Sequence, residues 1–397
     1  MIQSLSEQEE SAFLDSIREK GFNTVLTCLT INHKIMAGNP PYWQGIPPFL
    51  KKWDFSTVNP MYFAQVDRFL EMAARKNILV LAVPAYLGYR DDPSQGWWDE
   101  ILSPSNDSSK MKALGNYLSV RYVGVKNLIW VAGGDNNGTG KLEPNKNSLY
   151  RGIRERDPGH LRTGHFGASL KFNWSADNET YAHMMDIDGL YVWTEPAMGS
   201  KGPQYVAELK QYQKGMMILQ LDQSYEHDVP HYADNENLQW IRRKNYEGLL
   251  SGCAGKSFSP GELDNQCYTF KNWQPLMNTV GIREASFCFK LFAPRAWELL
   301  VPDQSDQVIV SGPGIRGDLN YICAAKSANN DRYIMYIPSG RTFLLNTSNI
   351  SDKSLNCFLF DPRTGKSMEI GRVDVTTELG FSTPSEEDWV LVLELAK

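Results

Sequence analysis

Residues 59–84 read NPMYFAQVDRFLEMAARKNILVLAVP, and this stretch decides the fold class. Asn59 before Pro60 marks a helix start, because an Asn side chain caps free backbone N–H groups and Pro at the first helical position has no N–H to lose. Phe63, Val66, Phe69, Leu70 and Ala73 then recur at helical spacing. ILVLAVP (78–84) follows as a continuous apolar run of strand length. A strand apolar on both faces belongs in a parallel sheet covered by helices. An amphipathic helix feeding directly into such a strand is the repeating unit of α/β architecture.

The unit recurs on both sides. Upstream, Ser6 and Glu9 spell a capping box that opens a helix with Phe13, Leu14 and Ile17 inward, ending at Gly21. FNTVLTCLT (22–30) is the strand after it. Downstream, a helix over Met111–Tyr122 leads to NLIWVAGG (127–134), and shorter strands are expected at LRTGHF (161–166) and IDGLYVW (187–193). A helix near 203–213 precedes MMILQLD (216–222), and one over 237–250 precedes SGCAGKSF (251–258). These are seven strands where a closed (β/α)8 barrel has eight. The chain opens on a helix, so the spacing predicts a TIM-type barrel whose first strand is missing. The open edge should be covered by the N-terminal helix or by a neighbouring chain. A doubly wound sheet is disfavoured, since no G-x-G-x-x-G follows an early strand.

Past Trp297 the periodicity changes. QVIVSG, YICAAKS, RYIMYIP, TFLLNTS, NCFLFDP and WVLVLEL are short β runs separated by turn residues. Seven to eight short strands in this space predict an antiparallel sandwich. The expected organisation is therefore a barrel domain over 1–298 and an all-β domain over 299–397.

Composition narrows the function. A net charge of −6 argues against general nucleic-acid binding, which needs a basic face. No apolar run is long enough for a membrane span, and the N-terminus lacks the pattern of a signal peptide. The six cysteines and six histidines are scattered without C-x-x-C or H-E-x-x-H spacing, so neither a metal site nor a disulfide scaffold is expected. No P-loop and no G-x-S-x-G elbow occur. No cofactor is implied. Aromatics are abundant, with 11 Trp, 18 Tyr and 17 Phe, many beside loop residues. Such side chains fill cores, and they also stack on the apolar faces of sugar rings.

In a barrel, polar residues just after a strand line the catalytic face. Four strand ends qualify: Asp135 with Asn136 after NLIWVAGG; His165 in LRTGHF; Trp193 and Glu195 in LYVWTE; and Asp222, Tyr225 and Glu226 in ILQLDQSYE. Singly, each carboxylate reads equally as a helix cap or an ion-pair partner. Jointly, Asp135 and Asp222 supply what glycosidic hydrolysis needs, a proton donor to the leaving oxygen and a second carboxylate that attacks carbon or activates water. Trp97, in the pair Trp97-Trp98, is a candidate wall for a sugar.

The stretches EKGFNTVL, FSTVNPMYFAQVDRFLEMAARKNILVLAVP, NLIWVAGGDNN, ILQLDQSYE and WIRRKNYEGLLSGCAGKSF resemble the apiosidase-like glycoside hydrolase family. YIPSGR and FLFDPRTG resemble the collagen-binding-like sandwich attached in that family. The resemblance implies a retaining hydrolase acting on side chains of plant-type polysaccharides or oligosaccharides, with removal of apiose from rhamnogalacturonan-II as the family's first activity. It implies that Asp135 is the acid/base. It places the nucleophile in an E-x-x-Y-E segment, which here reads DQSYE, so Asp222 stands where the family has Glu, and Tyr225 and Glu226 match the rest. Aspartate is shorter by one methylene, roughly 1.5 Å. Asn136, His165, Trp193, Glu195, Tyr225, Glu226 and Trp97 are the expected sugar-binding residues. Family members are usually exported. A catalytically impaired carbohydrate-binding relative on the same scaffold is the alternative reading, favoured by Asp222 and the missing strand.

Overall fold

The computed structural model describes residues 2–31, 45–88, 96–167, 174–191, 204–226, 234–259, 273–348, 350 and 354–395; within these, the side chains of 2, 222–225 and 234–237 are not described. Two compact units are formed, Met1–Val192 with Glu262–Met277 and Trp193–Gly261 with Asn278–Lys397.

The first unit alternates helix and parallel strand. Helix α1 (Glu7–Glu19) starts as its capping box dictates: Ser6 Oγ accepts from Glu9 N–H, and Glu9 reaches back to Ser6 N–H at 2.8 Å. Such a cap contributes about 1 kcal/mol. Strand β1 (Thr24–Thr30) follows, then α2 (Pro60–Arg75), capped by Asn59 with Pro60 at its head, and β2 (Leu79–Ala85). Next come α3 (Trp98–Leu102), α4 (Ser108–Tyr122) and β3 (Leu128–Gly133). Helix α5 (Glu143–Arg156), β4 (Arg162–His165) and β5 (Asp188–Leu190) complete the series. The order β1-β2-β3-β4 is parallel throughout, with Gly133 level with His165. Asp186 and Ile187 N–H donate to Arg162 O just before β5.

Three carbonyls at the end of β1 are satisfied by side chains. Gln3 Nε2 donates to Cys28 O (2.6 Å), the Tyr62 hydroxyl to Leu29 O (2.8 Å) and the Trp97 indole N–H to Thr30 O (3.2 Å). Buried backbone groups need such partners. Trp97 is fully buried, with Phe49, Trp53 and Phe55 edge-on to its ring at 5.2–5.6 Å. It is a packing residue, and the sugar-wall role expected of it is corrected accordingly. Helix α5 was absent from the sequence expectation. Its apolar residues Leu149, Tyr150 and Ile153 are few, so its periodicity is faint.

The second unit holds α6 (Tyr205–Tyr212), β6 (Ile218–Tyr225), α7 (Asp234–Leu250) and β7 (Cys253–Ser259), with β6 and β7 parallel. A short helix, α8 (Trp273–Leu276), belongs to the first unit, where Trp273 meets Phe13 edge-on at 5.5 Å. Helix α9 (Val280–Phe292), capped by Thr279, returns to the second unit. Seven strands in the helix-alternating part occur among the described residues. Parallel strands alternating with helices are the layout of a TIM-type barrel.

The antiparallel part has nine strands among the described residues, one or two more than expected: β8 (Leu300–Pro302), β9 (Ile309–Ser311), β10 (Cys323–Ser327), β11 (Arg332–Ile337), β12 (Thr342–Asn346), β13 (Ser354–Asp361), β14 (Lys366–Asp374), β15 (Glu378–Ser382) and β16 (Trp389–Leu395). Two of these are hard to read for a physical reason: β14 is almost wholly exposed and so lacks an apolar face, and β8, though apolar, is only three residues long. A six-stranded sheet, β14-β13-β16-β11-β10-β8, faces a three-stranded one, β15-β12-β9. One face of the larger sheet, with Met335, Leu359 and Leu391, packs on Ile309, Phe343 and Phe381 of the smaller. Its other face, with Ile334, Tyr336, Phe358, Val390 and Val392, packs on Tyr205, Tyr246, Leu249, Leu291 and Phe292 of α6, α7 and α9. Alternate residues thus serve two cores, which is why β16 reads WVLVLEL without polar alternation. Arg242 on α7 locks this contact. Its guanidinium pairs Asp388 at 2.7 and 2.9 Å and Glu284 at 2.8 Å, all buried, while the Tyr336 hydroxyl donates to Asp388 at 2.9 Å.

Candidate active site

Asp135 follows β3 in an unusual turn. Gly133, Gly134 and Asp135 have φ of 95°, 94° and 55°, three successive residues in left-handed space. A non-glycine residue there is strained, and such strain concentrates at functional sites. The two glycines are required by space as well. A Cβ on residue 133 would lie 2.4 Å from His165 O, and one on residue 134 would lie 2.6 Å from Tyr86 Cδ2. Gly134 N–H donates to His165 O (2.7 Å), and Gly133 N–H is held by the Tyr150 hydroxyl (2.9 Å). The turn is therefore stitched to the end of β4.

The turn delivers the Asp135 carboxylate to two partners. The Tyr86 hydroxyl donates to Oδ2 at 2.7 Å, and His165 Nε2 lies 3.6 Å from Oδ1. The Asp135 side chain keeps 20% of its exposure while His165 keeps 6%, so the carboxylate is presented from a buried footing. The Tyr191 ring stands edge-on to His165 with centroids 4.5 Å apart. Asn136 is buried, and its Oδ1 accepts from Gly138 N–H at 2.7 Å, closing the loop. Cys28, in β1, shares this neighbourhood. Burial first, and then the charge of Asp135, raise its thiol to about 12, so it stays neutral.

Tyr86 was not among the sequence candidates. The rule that found Asp135 would have found it, since Tyr86 directly follows the apolar strand β2. Of the expected residues, Asp135, Asn136 and His165 are brought together. Trp193 and Glu195 lie outside the described residues.

In the second unit, β6 runs on to Tyr225, so Asp222 does not end its strand as expected. The continuation is physical: Ser224 and Tyr225 pair with Phe258 and Ser259 of β7 despite their polarity. Between Gln220 and Ser224 the register shifts, so four residue steps on β6 oppose two on β7. Asp222 lies inside this bulge, a device that re-aims side chains and recurs next to active sites. The side chains of Asp222 and Tyr225 are outside the described set. Glu226 immediately follows the strand and is buried. Its Oε1 accepts from Gly281 N–H at 2.8 Å, in the first turn of α9, where the helix dipole favours a negative charge.

Among the described residues no group of three or more His, Cys, Asp or Glu could hold a metal ion, and no helix is long and apolar enough to cross a membrane. A strained, partly exposed aspartate with a tyrosine and a histidine beside it is equipped to hold or release a proton at a polar substrate.

Comparison with known proteins places these features in a family. Residues 1–298 match the family described as "Apiosidase-like, catalytic domain", and residues 301–394 match "Putative collagen-binding domain of a collagenase". No curated protein matches the chain. Among solved structures, a glycoside hydrolase shares 21% identity over 99% of this chain and 90% of its own, with a TM-score of 0.76. A family 5 glycoside hydrolase from Bacteroides vulgatus shares 22% over 100% of this chain and 88% of its own, at 0.77. A GH30 endoxylanase from Clostridium papyrosolvens shares 12% over 99% and 94%, at 0.54. At these identities the likeness establishes the fold, a TIM-type barrel followed by a β-sandwich. The match over three-quarters of the length carries the assignment: the chain belongs to the apiosidase-like family of glycoside hydrolases.

Proposed function

We propose that the protein is a retaining glycosidase acting on side chains of plant-type polysaccharide or oligosaccharide, with 1–298 as the catalytic domain and 299–397 as its sandwich. Asp135 protonates the glycosidic oxygen and then activates water; Asp222 attacks the anomeric carbon. Asn136, His165, Trp193, Glu195, Tyr225 and Glu226 bind the sugar. The observation that carries the reading is the presentation of Asp135, strained into the left-handed region at a strand end with Tyr86 on one oxygen and His165 beside the other.

Retention needs the two carboxyls about 5–5.5 Å apart. An aspartate at 222 meets this only if its backbone supplies the missing methylene, and the bulge at 220–224 is a means of doing so. A second reading is favoured by the strand boundary: Glu226, directly after β6, provides the second carboxylate in place of Asp222.

The test is release of monosaccharide from a panel of pectic oligosaccharides, with NMR of the first-formed anomer. Retention is expected. Asp222→Ala should abolish release; unchanged release with Asp222→Ala and loss with Glu226→Gln would transfer the role to Glu226. Inversion, or binding of the panel without release, would overturn the proposal.

A further inference from the structure

Lys146, on α5, is completely buried. Burial is costly for an ammonium, and it pushes this one well below the ordinary lysine range, opposed by nearby Glu143. What surrounds it is specific. Nζ donates to Asn137 O at 3.0 Å and sits over the faces of Phe166 and Tyr181, 4.4 and 4.0 Å from their centroids. Aromatic faces stabilise a desolvated cation.

Each of these contacts bears on the loop that carries Asp135. Asn137 is two residues past Asp135. Phe166 directly follows His165. The Tyr181 hydroxyl donates to Gly138 O at 3.2 Å. A Cβ on residue 138 would lie 2.0 Å from Lys146 Cδ, so the lysine stem runs tight against the loop, and only glycine leaves room at that φ of 59°. Lysine and tyrosine together hold the carbonyls of 137 and 138, while Tyr86 and His165 meet the Asp135 carboxylate.

We infer that Lys146 is a positioning residue for the acid/base, a buried amine in an aromatic box that fixes the 135–138 loop. This rests on the assignment of Asp135 as acid/base. A purely structural lysine shows itself in stability: its loss leaves the Asn137 carbonyl without a donor, partly offset by the relieved desolvation, and lowers activity on every substrate alike. A positioning lysine shows itself in the step that needs the proton, because a displacement of about 1 Å at a reacting group can cost about 100-fold in rate.

The experiment combines Lys146→Met with Asp135→Asn in a cycle, read on two probes, an apiose-bearing pectic oligosaccharide and 4-nitrophenyl apioside. Lys146→Gln is scored in the same way should the Met variant fail to fold. The expected result is a protein that still folds, with a fall of about 100-fold on the oligosaccharide. On the nitrophenyl probe the first-turnover release of nitrophenolate, whose departure needs little protonation, should fall much less. In the Asp135→Asn background, where oligosaccharide hydrolysis is already lost, Lys146→Met should change first-turnover nitrophenolate release by less than about twofold, since residues acting as one unit are not additive. Equal falls in oligosaccharide hydrolysis and in first-turnover nitrophenolate release, a clear further loss of that first turnover in the Asp135→Asn background, or wild-type oligosaccharide activity in Lys146→Met overturns the inference. If Asp135→Asn itself hydrolyses the oligosaccharide normally, the acid/base assignment is what fails, and the inference falls with it.

Discussion

Replacing Gly134 by alanine tests whether the glycine turn exists to let Tyr86 reach Asp135. The added Cβ would stand 2.6 Å from Tyr86 Cδ2, so the ring must retreat by about 0.8 Å to regain ordinary contact near 3.4 Å. That retreat carries the 2.7 Å hydroxyl–carboxylate bond to the limit of hydrogen bonding. A hydrogen bond to a charged group contributes about 1.5–3 kcal/mol. Expressed at the transition state, its loss lowers kcat/KM by about 10- to 100-fold. The φ of 94° adds roughly 1–2 kcal/mol of backbone strain for alanine. Gly134→Ala should therefore lose both stability and activity, whereas Tyr86→Phe, which removes the hydroxyl alone, should lose comparable activity with a smaller fall in stability. Urea unfolding and steady-state kinetics on a released-sugar assay read the two. Gly134→Ala with activity within twofold of wild type would refute the reasoning.

Three further outcomes follow from the second unit and the candidate nucleophile. Asp388→Ala leaves buried Arg242 with Glu284 as its remaining carboxylate and should cost about 3–5 kcal/mol in chemical denaturation; a loss under 1 kcal/mol would contradict the lock between α7 and the sandwich. Burial raises Glu247 from an ordinary 4.5 to about 7, against the pull of Arg243. A raised acid favours the folded state while protonated, so stability should fall by about 3 kcal/mol as pH rises from 4.5 to 7 and then level off. Glu247→Gln should remove that slope, and an unchanged slope would sink the assignment. Asp222→Glu should lower hydrolysis steeply if the bulge already supplies the missing methylene, and raise it if it does not; no change in either Asp222→Glu or Asp222→Ala would remove Asp222 from the mechanism.

The sequence made the frame of the molecule legible where local rules and burial agree. Ser6 with Glu9 and Asn59 with Pro60 cap α1 and α2 as written, because caps are settled by neighbours in sequence. The strands β1, β2, β3 and β7 fall within about two residues of their apolar runs. The polar end of β6 was not legible, since Ser224 and Tyr225 are held by pairing with β7 rather than by hydrophobicity. Helix α5 and strand β14 were missed because one has few apolar positions and the other nearly none buried. Asp135 and His165 are candidates by the strand-end rule, and Gly133 pairing with His165 explains why the two lie side by side. Lys146 could not have been found, because a lysine on a polar helix reads as solvent-facing until a loop and two rings close over it. Trp97 misled for the opposite reason, as a loop tryptophan looks exposed until its neighbours are known.

The acid/base role of Asp135 is tested most directly by Asp135→Asn assayed on a pectic oligosaccharide and on the matching 4-nitrophenyl glycoside. The carboxamide cannot protonate the leaving oxygen, so hydrolysis of the oligosaccharide should be abolished. Formation of the glycosyl-enzyme from the nitrophenyl substrate should survive, because its leaving group departs without protonation. Equal loss on both substrates, or no loss on the oligosaccharide, would contradict the assignment.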